Sequence, residues 1–214
     1  GKKLKVVGRA GVGVDNIDLK AAARYGVTVV NSPLATTVSV AELALGMMLA
    51  VVRHLARADA SMKEGKWLKK EFEGNELYGK TLGVIGFGRI GVATAKRAAA
   101  FDMKVIAYDP LIPADEIKNR GGEPVTLDEL LARADIITLH IPLTPESKNM
   151  LSTEAFRKMK KGVYLVDAAR GGIVDETALL AALDSGHVAG AALDVLTSEP
   201  PTEALLPLVN HPKV

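Results

Sequence analysis

Cysteine is absent from this chain of 214 residues, and only 4% of its residues are aromatic. Without cysteine there is no disulfide, thiol nucleophile or thiolate metal ligand, and we predict no metal site. A membrane span is not indicated either, because the most apolar stretch, residues 41–52, contains Glu42 and is too short. The net charge is only +2, and no basic tract with interleaved aromatics suggests nucleic acid. We therefore expect a soluble, cytoplasmic protein with neither a membrane nor a nucleic-acid partner.

Apolar residues make up 48% of the chain, and they fall into strand-like and helix-like segments that alternate. Strands are predicted at residues 4–8, 27–30, 80–85, 104–108, 135–140, 163–166 and 189–196. Helices are predicted at residues 18–25, 37–65, 92–100, 127–134, 153–159 and 176–185. This alternation predicts an α/β fold, a Rossmann-type doubly wound parallel sheet with helices on both faces. Ligands of such sheets bind beyond the carboxyl ends of the strands, so the loops after the strands are the places to look for chemistry.

The most informative of these loops is the glycine-rich turn at residues 86–91, which lies between a strand and a helix. Gly86 allows a tight turn, Gly88 lets the backbone approach a pyrophosphate, and Gly91 allows the helix to pack on the strand. The free N–H groups at the helix start favour phosphate. A GxGxxG pattern alone is also compatible with an ordinary turn. Here, however, Asp109 ends the next strand 18 residues after Gly91, close to the spacing of a dinucleotide site.

Asp109 also indicates which dinucleotide is bound. Its carboxylate accepts hydrogen bonds from ribose hydroxyls but repels the 2′-phosphate of NADP. At ~4 Å and an effective dielectric near 20, that repulsion is about 4 kcal/mol. Arg89 is a possible counter-charge, but it lies within the glycine turn, where it can contact the pyrophosphate. The cofactor predicted from these residues is NAD.

Two further charged residues follow strands later in the chain. Arg170 stands beside two glycines, which suits a bidentate clamp on a carboxylate. It could equally be a surface arginine paired with Asp167 or Asp175. Glu199 follows the last predicted strand, and by itself it is more readily explained as a solvated loop carboxylate.

The chain resembles the D-isomer-specific 2-hydroxyacid dehydrogenases, and within them the D-3-phosphoglycerate dehydrogenases most closely. The resemblance covers essentially the whole chain, and the segments that carry it are residues 7–16, 39–42, 86–91, 169–175, 190–195 and 199–201. It implies hydride transfer between NAD and a D-2-hydroxy acid, with 3-phosphoglycerate in serine biosynthesis as the expected substrate. Alternatives are glyoxylate, hydroxypyruvate or D-lactate as substrate, or a non-catalytic NAD-sensing binding module.

By this resemblance Arg170 is the catalytic arginine that holds the substrate carboxylate, and Glu199 supports the catalytic histidine. Asp194 would hold the nicotinamide amide, and Ile141 with Pro142 would flank the adenine and ribose. The cofactor-binding residues implied by motif and resemblance are Val12, Gly86, Gly88, Arg89, Ile90, Gly91, Asp109, Ile141, Pro142, Ala168, Ala169 and Asp194.

The chain departs from the family pattern in two ways. The family's catalytic histidine lies in a Pro-His segment that this sequence does not contain, and we interpret its four histidines as structural. At the front, residues 1–33 correspond to a remnant of a flavodoxin-like substrate-binding domain, and residues 34–214 to the NAD-binding domain, including a long inter-domain helix at 37–65. Thr36 occupies a position where phosphoglycerate enzymes often have asparagine. We expect this chain alone to be nearly inactive and to form a dimer or tetramer through the apolar stripe of residues 41–55.

Overall fold

A computed structural model describes residues 3–14 and 16–214 of the chain, which divides into two units, Gly1–Val40 and Ala41–Val214. In the smaller unit, strands β1 (Val6–Arg9) and β2 (Thr28–Asn31) pair in parallel and are joined by helix α1 (Leu19–Arg24). Asp18 caps α1 as predicted, since its Oδ1 accepts the N–H of Ala21 at 2.8 Å. The assignment of this unit to a substrate-binding domain stays a prediction.

The larger unit contains a six-stranded parallel sheet with the helices that cross between its strands. The strands are β3 (Thr81–Ile85), β4 (Lys104–Tyr108), β5 (Glu123–Pro124), β6 (Ile136–Leu139), β7 (Val163–Asp167) and β8 (Val188–Leu193). The helices within the unit are α3 (Leu55–Lys63), α4 (Arg89–Ala99), α5 (Ala114–Asn119), α6 (Leu127–Arg133), α7 (Thr153–Lys158), α8 (Glu176–Asp184) and α9 (Leu206–Val209). Two short 3₁₀ helices lie at Lys69–Phe72 and Glu203–Leu205.

The strand order β5-β4-β3-β6-β7-β8 confirms the doubly wound sheet. The chain crosses outward from β3 in one direction as far as β5, then returns to the other side of β3 and continues to β8. The direction in which the chain crosses the sheet therefore reverses between β3 and β6, and this point is the switch point of the sheet. In open α/β sheets, ligands bind at such a switch point.

Apolar side chains cover both faces of this sheet, as a doubly wound fold requires. On one face, strand residues such as Ile137 and Leu165 pack with residues of α6, α7, α8 and α9. On the other, Leu82 and Val166 pack with residues of α4 and α5 and with Met48, which belongs to helix α2 (Thr37–Val52). Residues of the central strands alternate between these two clusters, and β6 and β7 are buried along their whole length.

The prediction of one long helix over residues 37–65 was wrong. The helix breaks after Val52, and α2 and α3 meet at an angle of 63°. His54, between them, has a left-handed backbone with φ of 54°. The carbonyl of Val52 accepts a hydrogen bond from the N–H of Asn75 at 2.8 Å. The acceptor of this last helical residue is therefore used by a distant part of the chain and not by a further turn of the helix. Among the described residues no single helix is long and apolar enough to cross a membrane, although this bent pair passes that test by length and composition.

Two other differences affect the edges of the sheet. Helix α5 and strand β5 were not predicted, and they are short, with only six and two residues. The last strand was predicted to reach residue 196, whereas β8 ends at Leu193. The extra residues belong instead to a loop that carries Asp194 and Glu199, and this loop is part of the candidate site.

Candidate cofactor and substrate site

The glycine turn lies at the switch point of the sheet, between the carboxyl ends of β3 and β6. Gly86 has a positive φ of 94°, which L side chains rarely adopt. A Cβ at this position would also lie 2.6 Å from the carbonyl oxygen of His140, just beyond β6. Both the backbone conformation and the close approach therefore require glycine here.

The other two glycines of the motif differ in their surroundings, since Gly91 is closely packed and Gly88 faces open space. A Cβ on Gly91 would overlap the carbonyl oxygen of Gly86, so helix α4 packs directly on the turn. A Cβ on Gly88 would meet no atom within 4 Å, which leaves open space in front of the turn. Gly88 is the N-cap of α4 and offers no side chain to the N–H groups of the first turn. Uncapped N–H groups facing open space suit a pyrophosphate.

Asp109 follows β4 and lies beside this turn. Its Oδ2 accepts the N–H of Phe87 at 2.8 Å, and its Oδ1 accepts the N–H of Leu111 at 2.9 Å. The carboxylate is thus held where the motif places the ribose-binding acid, and it also braces the turn. A carboxylate has about four acceptor positions, so these two bonds leave capacity for ribose hydroxyls.

Arg120 also fixes the glycine turn, and this role was not predicted from the sequence. Its Nη1 donates to the carbonyl oxygen of Phe87 at 3.0 Å, and its Nε donates to Glu116 at 2.9 Å. The turn residue Phe87 is therefore held from both sides, by Asp109 at its N–H and by Arg120 at its carbonyl. The spacing of Glu116 and Arg120, which favours an ion pair on a helix, was the available sequence signal for α5.

The loop after β6 begins with His140 and continues through Ile141 and Pro142. The His140 ring lies 3.2 Å from Thr138 Oγ1, and desolvation lowers its pKa from 6.5 to about 4. The ring is therefore neutral at physiological pH. Ser147 Oγ donates to the carbonyl of Pro142 at 2.8 Å and thereby fixes the loop. The loop lies beside Gly86, and the contact of Ile141 and Pro142 with the cofactor stays a prediction.

The loop after β7 carries Ala168, Ala169 and Arg170. Asp167, the last residue of β7, is only 2% exposed, and its Oδ1 accepts the N–H of Ala169 at 2.9 Å. Burial raises the pKa of Asp167 from 3.8 to about 7, and the charges of Asp194 and Glu176 act in the same direction. The backbone N–H groups of Ala169 and Arg170 hydrogen-bond the carboxylate and oppose this shift. Arg170 Nη1 donates to the carbonyl of Ala169 at 2.7 Å.

The loop after β8 lies against the loop after β7. The N–H of Asp194 donates to the carbonyl of Asp167 at 2.9 Å. A Cβ on Gly171 would overlap the carbonyl of Leu196, so the two backbones are in direct contact. Glu199 Oε1 accepts the N–H of Leu196 at 3.2 Å. The structure therefore brings the loop that carries Arg170 into contact with the loop that carries Asp194 and Glu199.

The four histidines lie in different parts of the fold, and their structural role stays a prediction. His187 Nε2 lies 3.0 Å from the carbonyl of Met159, and His211 Nε2 lies 3.5 Å from Asp184. Both contacts are at the C-terminal ends of helices that lead into the next strand, hence at the amino edge of the sheet, opposite Arg170. His54 lies at the break between α2 and α3, and His140 is enclosed and uncharged. Val12 belongs to the smaller unit, where its carbonyl accepts the amide of Asn31 at 2.8 Å.

A family model described as "D-isomer specific 2-hydroxyacid dehydrogenase, NAD binding domain" matches residues 45–214. A D-3-phosphoglycerate dehydrogenase from Methanocaldococcus jannaschii is 54% identical over 211 residues, which are 98% of this chain and 40% of that protein. The chain thus spans about two fifths of the length of such curated relatives.

Solved structures give the same result for the fold. A glyoxylate reductase from Paecilomyes thermophila has a TM-score of 0.89 at 36% identity, and the match covers 99% of this chain and 64% of that one. A D-lactate dehydrogenase from Aquifex aeolicus, in complex with NAD and lactic acid, has a TM-score of 0.86 at 36% identity. That match covers 97% of this chain and 66% of the other.

Proposed function

Because the chain belongs to the D-isomer-specific 2-hydroxyacid dehydrogenase family, we propose that it is the NAD-binding part of an oxidoreductase acting on a D-2-hydroxy acid. The observation that carries this proposal is the glycine turn at the switch point, with open space before Gly88 and Asp109 fixed beside it. Residues 1–33 would belong to a substrate-binding domain.

In this proposal the bound nicotinamide supplies the hydride acceptor, and the protein binds and orients the substrate. Arg170 holds the substrate carboxylate and the oxygen on C2, because a guanidinium can donate two parallel hydrogen bonds. Glu199 accepts a hydrogen bond from a histidine and raises its basicity, so that the histidine can remove the hydroxyl proton. That histidine is proposed to lie in the family's Pro-His segment, which is not among these 214 residues.

The substrate we propose is 3-phosphoglycerate, and its support is the 54% identity to a D-3-phosphoglycerate dehydrogenase. Glyoxylate and D-lactate are alternatives suggested by the structural relatives at 36% identity. NADH formation at 340 nm by the full-length protein with D-3-phosphoglycerate, D-lactate, D-glycerate and glycolate, the reduced form of glyoxylate, distinguishes them. A kcat/KM that is highest for D-3-phosphoglycerate would support the proposal. A clear preference for another acid would make that acid the assigned substrate. No NADH formation with any 2-hydroxy acid would overturn the proposed activity.

We also propose that the protein is a homodimer or tetramer, with residues 41–55 in the interface. Leu43 is 43% exposed and Leu55 is 53% exposed. Burying such apolar surface is favourable by about 25 cal/mol per Å². Sedimentation at micromolar concentration should show a dimer or a larger species, and a monomer would contradict the proposal. A cytoplasmic location likewise stays a prediction, supported by the absence of cysteine.

A further inference from the structure

Glu176 links two parts of the site that the proposed mechanism treats separately. It is the first residue of α8, and its Oε1 accepts the N–H of Thr197 at 2.7 Å, across 21 positions of sequence. This is the shortest distance among the hydrogen bonds of the β8 loop described above. A carboxylate acceptor makes such a bond charge-assisted and stronger than a bond between neutral groups.

The partner of Glu176 is adjacent to the residue that holds Glu199. Glu199 Oε1 accepts the N–H of Leu196, and the next N–H along the chain, that of Thr197, is the one bonded to Glu176. The two carboxylates therefore hold consecutive backbone N–H groups. The N–H of Thr197 shares its peptide unit with the Leu196 carbonyl that lies against Gly171, so rotation of this unit would break the Glu176 bond and disturb the contact with Gly171.

The backbone that carries Glu176, at the start of α8, is itself fixed by hydrogen bonds. Asp175 caps α8, with its Oδ1 accepting the N–H of Ala178 at 3.0 Å. The backbone N–H of Asp175 donates to the carbonyl of Leu151 at 3.1 Å. On the other side of the loop, Gly171 is so close to Leu196 that no side chain fits between them. The β8 loop is thus held between the Arg170 loop and the start of α8.

We propose that Glu176 is a positioning residue for Glu199. By holding the N–H of Thr197 it fixes the backbone of the β8 loop against Gly171, and thereby sets the place of Glu199 relative to Arg170. The proposal rests on the proposed function, in which those two residues hold substrate and base. Glu176 acts through its bond to the backbone of Thr197, so it is a positioning residue and not a catalytic one.

A purely local role is the alternative, since an acid in the first turn of a helix stabilises that helix by itself. Four variants of the full-length protein separate the two roles. Glu176→Ala removes the acceptor, Glu176→Gln retains an amide oxygen at the same reach, and Glu176→Asp retains the charge but shortens the side chain. Glu154→Ala, in the first turn of α7, is the matched control for the loss of a first-turn acid.

If Glu176 positions Glu199, Glu176→Ala lowers kcat/KM by about 10- to 100-fold, the cost of a small misplacement in an active site. Glu176→Asp should also lower kcat/KM. Glu176→Gln should stay within about threefold of the wild type, because it keeps an acceptor oxygen at the same reach. Glu154→Ala should stay within the same range, because it lies outside the site. The pH profile adds a second readout. A displaced Glu199 raises the basicity of the histidine less, so the acidic limb of kcat/KM should move to lower pH in Glu176→Ala. Wild-type kinetics in Glu176→Ala, or equal losses in Glu176→Gln and Glu176→Ala, would overturn the proposal.

Hydrogen–deuterium exchange on the 214-residue chain tests whether Glu176 restrains the β8 loop, and this measurement does not depend on enzyme activity. Peptides covering residues 194–199 should exchange faster in Glu176→Ala and Glu176→Asp than in the wild type or Glu176→Gln. Unchanged exchange in both would refute the positioning role even if the enzyme is active. If Glu176→Ala does not fold, Glu176→Asp carries both readouts. Failure of the wild-type enzyme to oxidise any 2-hydroxy acid would overturn the proposed function instead, and the exchange result would still decide whether Glu176 holds the loop.

Discussion

Replacing Asp167 by asparagine should change how the stability of this chain depends on pH. Burial raises the pKa of Asp167 from 3.8 to about 7. An acid whose folded pKa exceeds its unfolded pKa binds a proton on folding. Its contribution to stability is therefore complete below pH 3.8 and is lost as the pH rises through 7. At 1.36 kcal/mol for each pKa unit, the loss between pH 5 and pH 7 is about 3 kcal/mol.

His140 acts in the opposite direction. Desolvation lowers its pKa from 6.5 to about 4, so the folded state excludes a proton that the unfolded state binds. This contribution is present above pH 6.5 and is lost as the pH falls towards 4. Between pH 6.5 and pH 5 the loss is about 2 kcal/mol. In the wild type the two dependences largely cancel over this interval, so its stability should change little.

Each variant removes one of the two dependences. Asp167→Asn should become more stable by about 2 kcal/mol from pH 5 to pH 6.5, whereas His140→Gln should lose about 3 kcal/mol from pH 5 to pH 7. Urea unfolding followed by circular dichroism at pH 5, 6, 7 and 8 measures both. Asp59→Asn is the control, because Asp59 is an exposed partner of Lys63. If Asp167→Asn shows the same pH dependence as the wild type, Asp167 is ionised at neutral pH and the reasoning fails.

Three further predictions concern the cofactor and turnover. The chain should bind NADH more tightly than NADPH in calorimetric titration, and Asp109→Ala should weaken NADH binding and narrow the gap; equal affinities in the wild type would contradict this. Gly91→Ala should abolish NADH binding, because its Cβ would overlap the carbonyl oxygen of Gly86; NADH binding equal to that of the wild type would contradict this. The 214-residue chain should form no measurable NADH from D-3-phosphoglycerate, D-lactate or D-glycerate. Turnover equal to that of the full-length protein would make His211 the first residue to mutate.

The parts of the fold that the sequence predicted are those set by local patterns. The glycine spacing of residues 86–91 determines how a backbone leaves one strand and enters a helix, and Asp18 caps the residues next to it. Asp109 likewise follows directly after β4, where the sequence pattern predicted it. The pattern could not show that Asp109 also holds Phe87, because this bond joins residues 22 positions apart.

The features that were missed depend on contacts between distant residues. At the helix break the carbonyl of Val52 accepts a hydrogen bond from the N–H of Asn75. Asn75 lies outside residues 37–65, so the pattern of that segment does not indicate the break. The short helix α5 has little apolar periodicity, so Arg120 was overlooked. The raised pKa of Asp167 and the lowered pKa of His140 follow from burial, which the sequence alone does not give.

The two bonds that Asp109 makes to backbone N–H groups limit how coenzyme preference can be redesigned. An exchange to alanine or a basic residue would remove the repulsion of a 2′-phosphate but would also release the turn at Phe87. Asparagine removes the charge, and its one amide oxygen can accept the N–H of Phe87 although it gives up the bond to Leu111, so it is the better starting point. The positive charge for the phosphate is then better introduced from a neighbouring position, with Arg120 left in place to secure Phe87 from the other side. A change of coenzyme in this protein therefore calls for at least two coordinated substitutions, in which the first preserves the scaffold and the second alters selectivity.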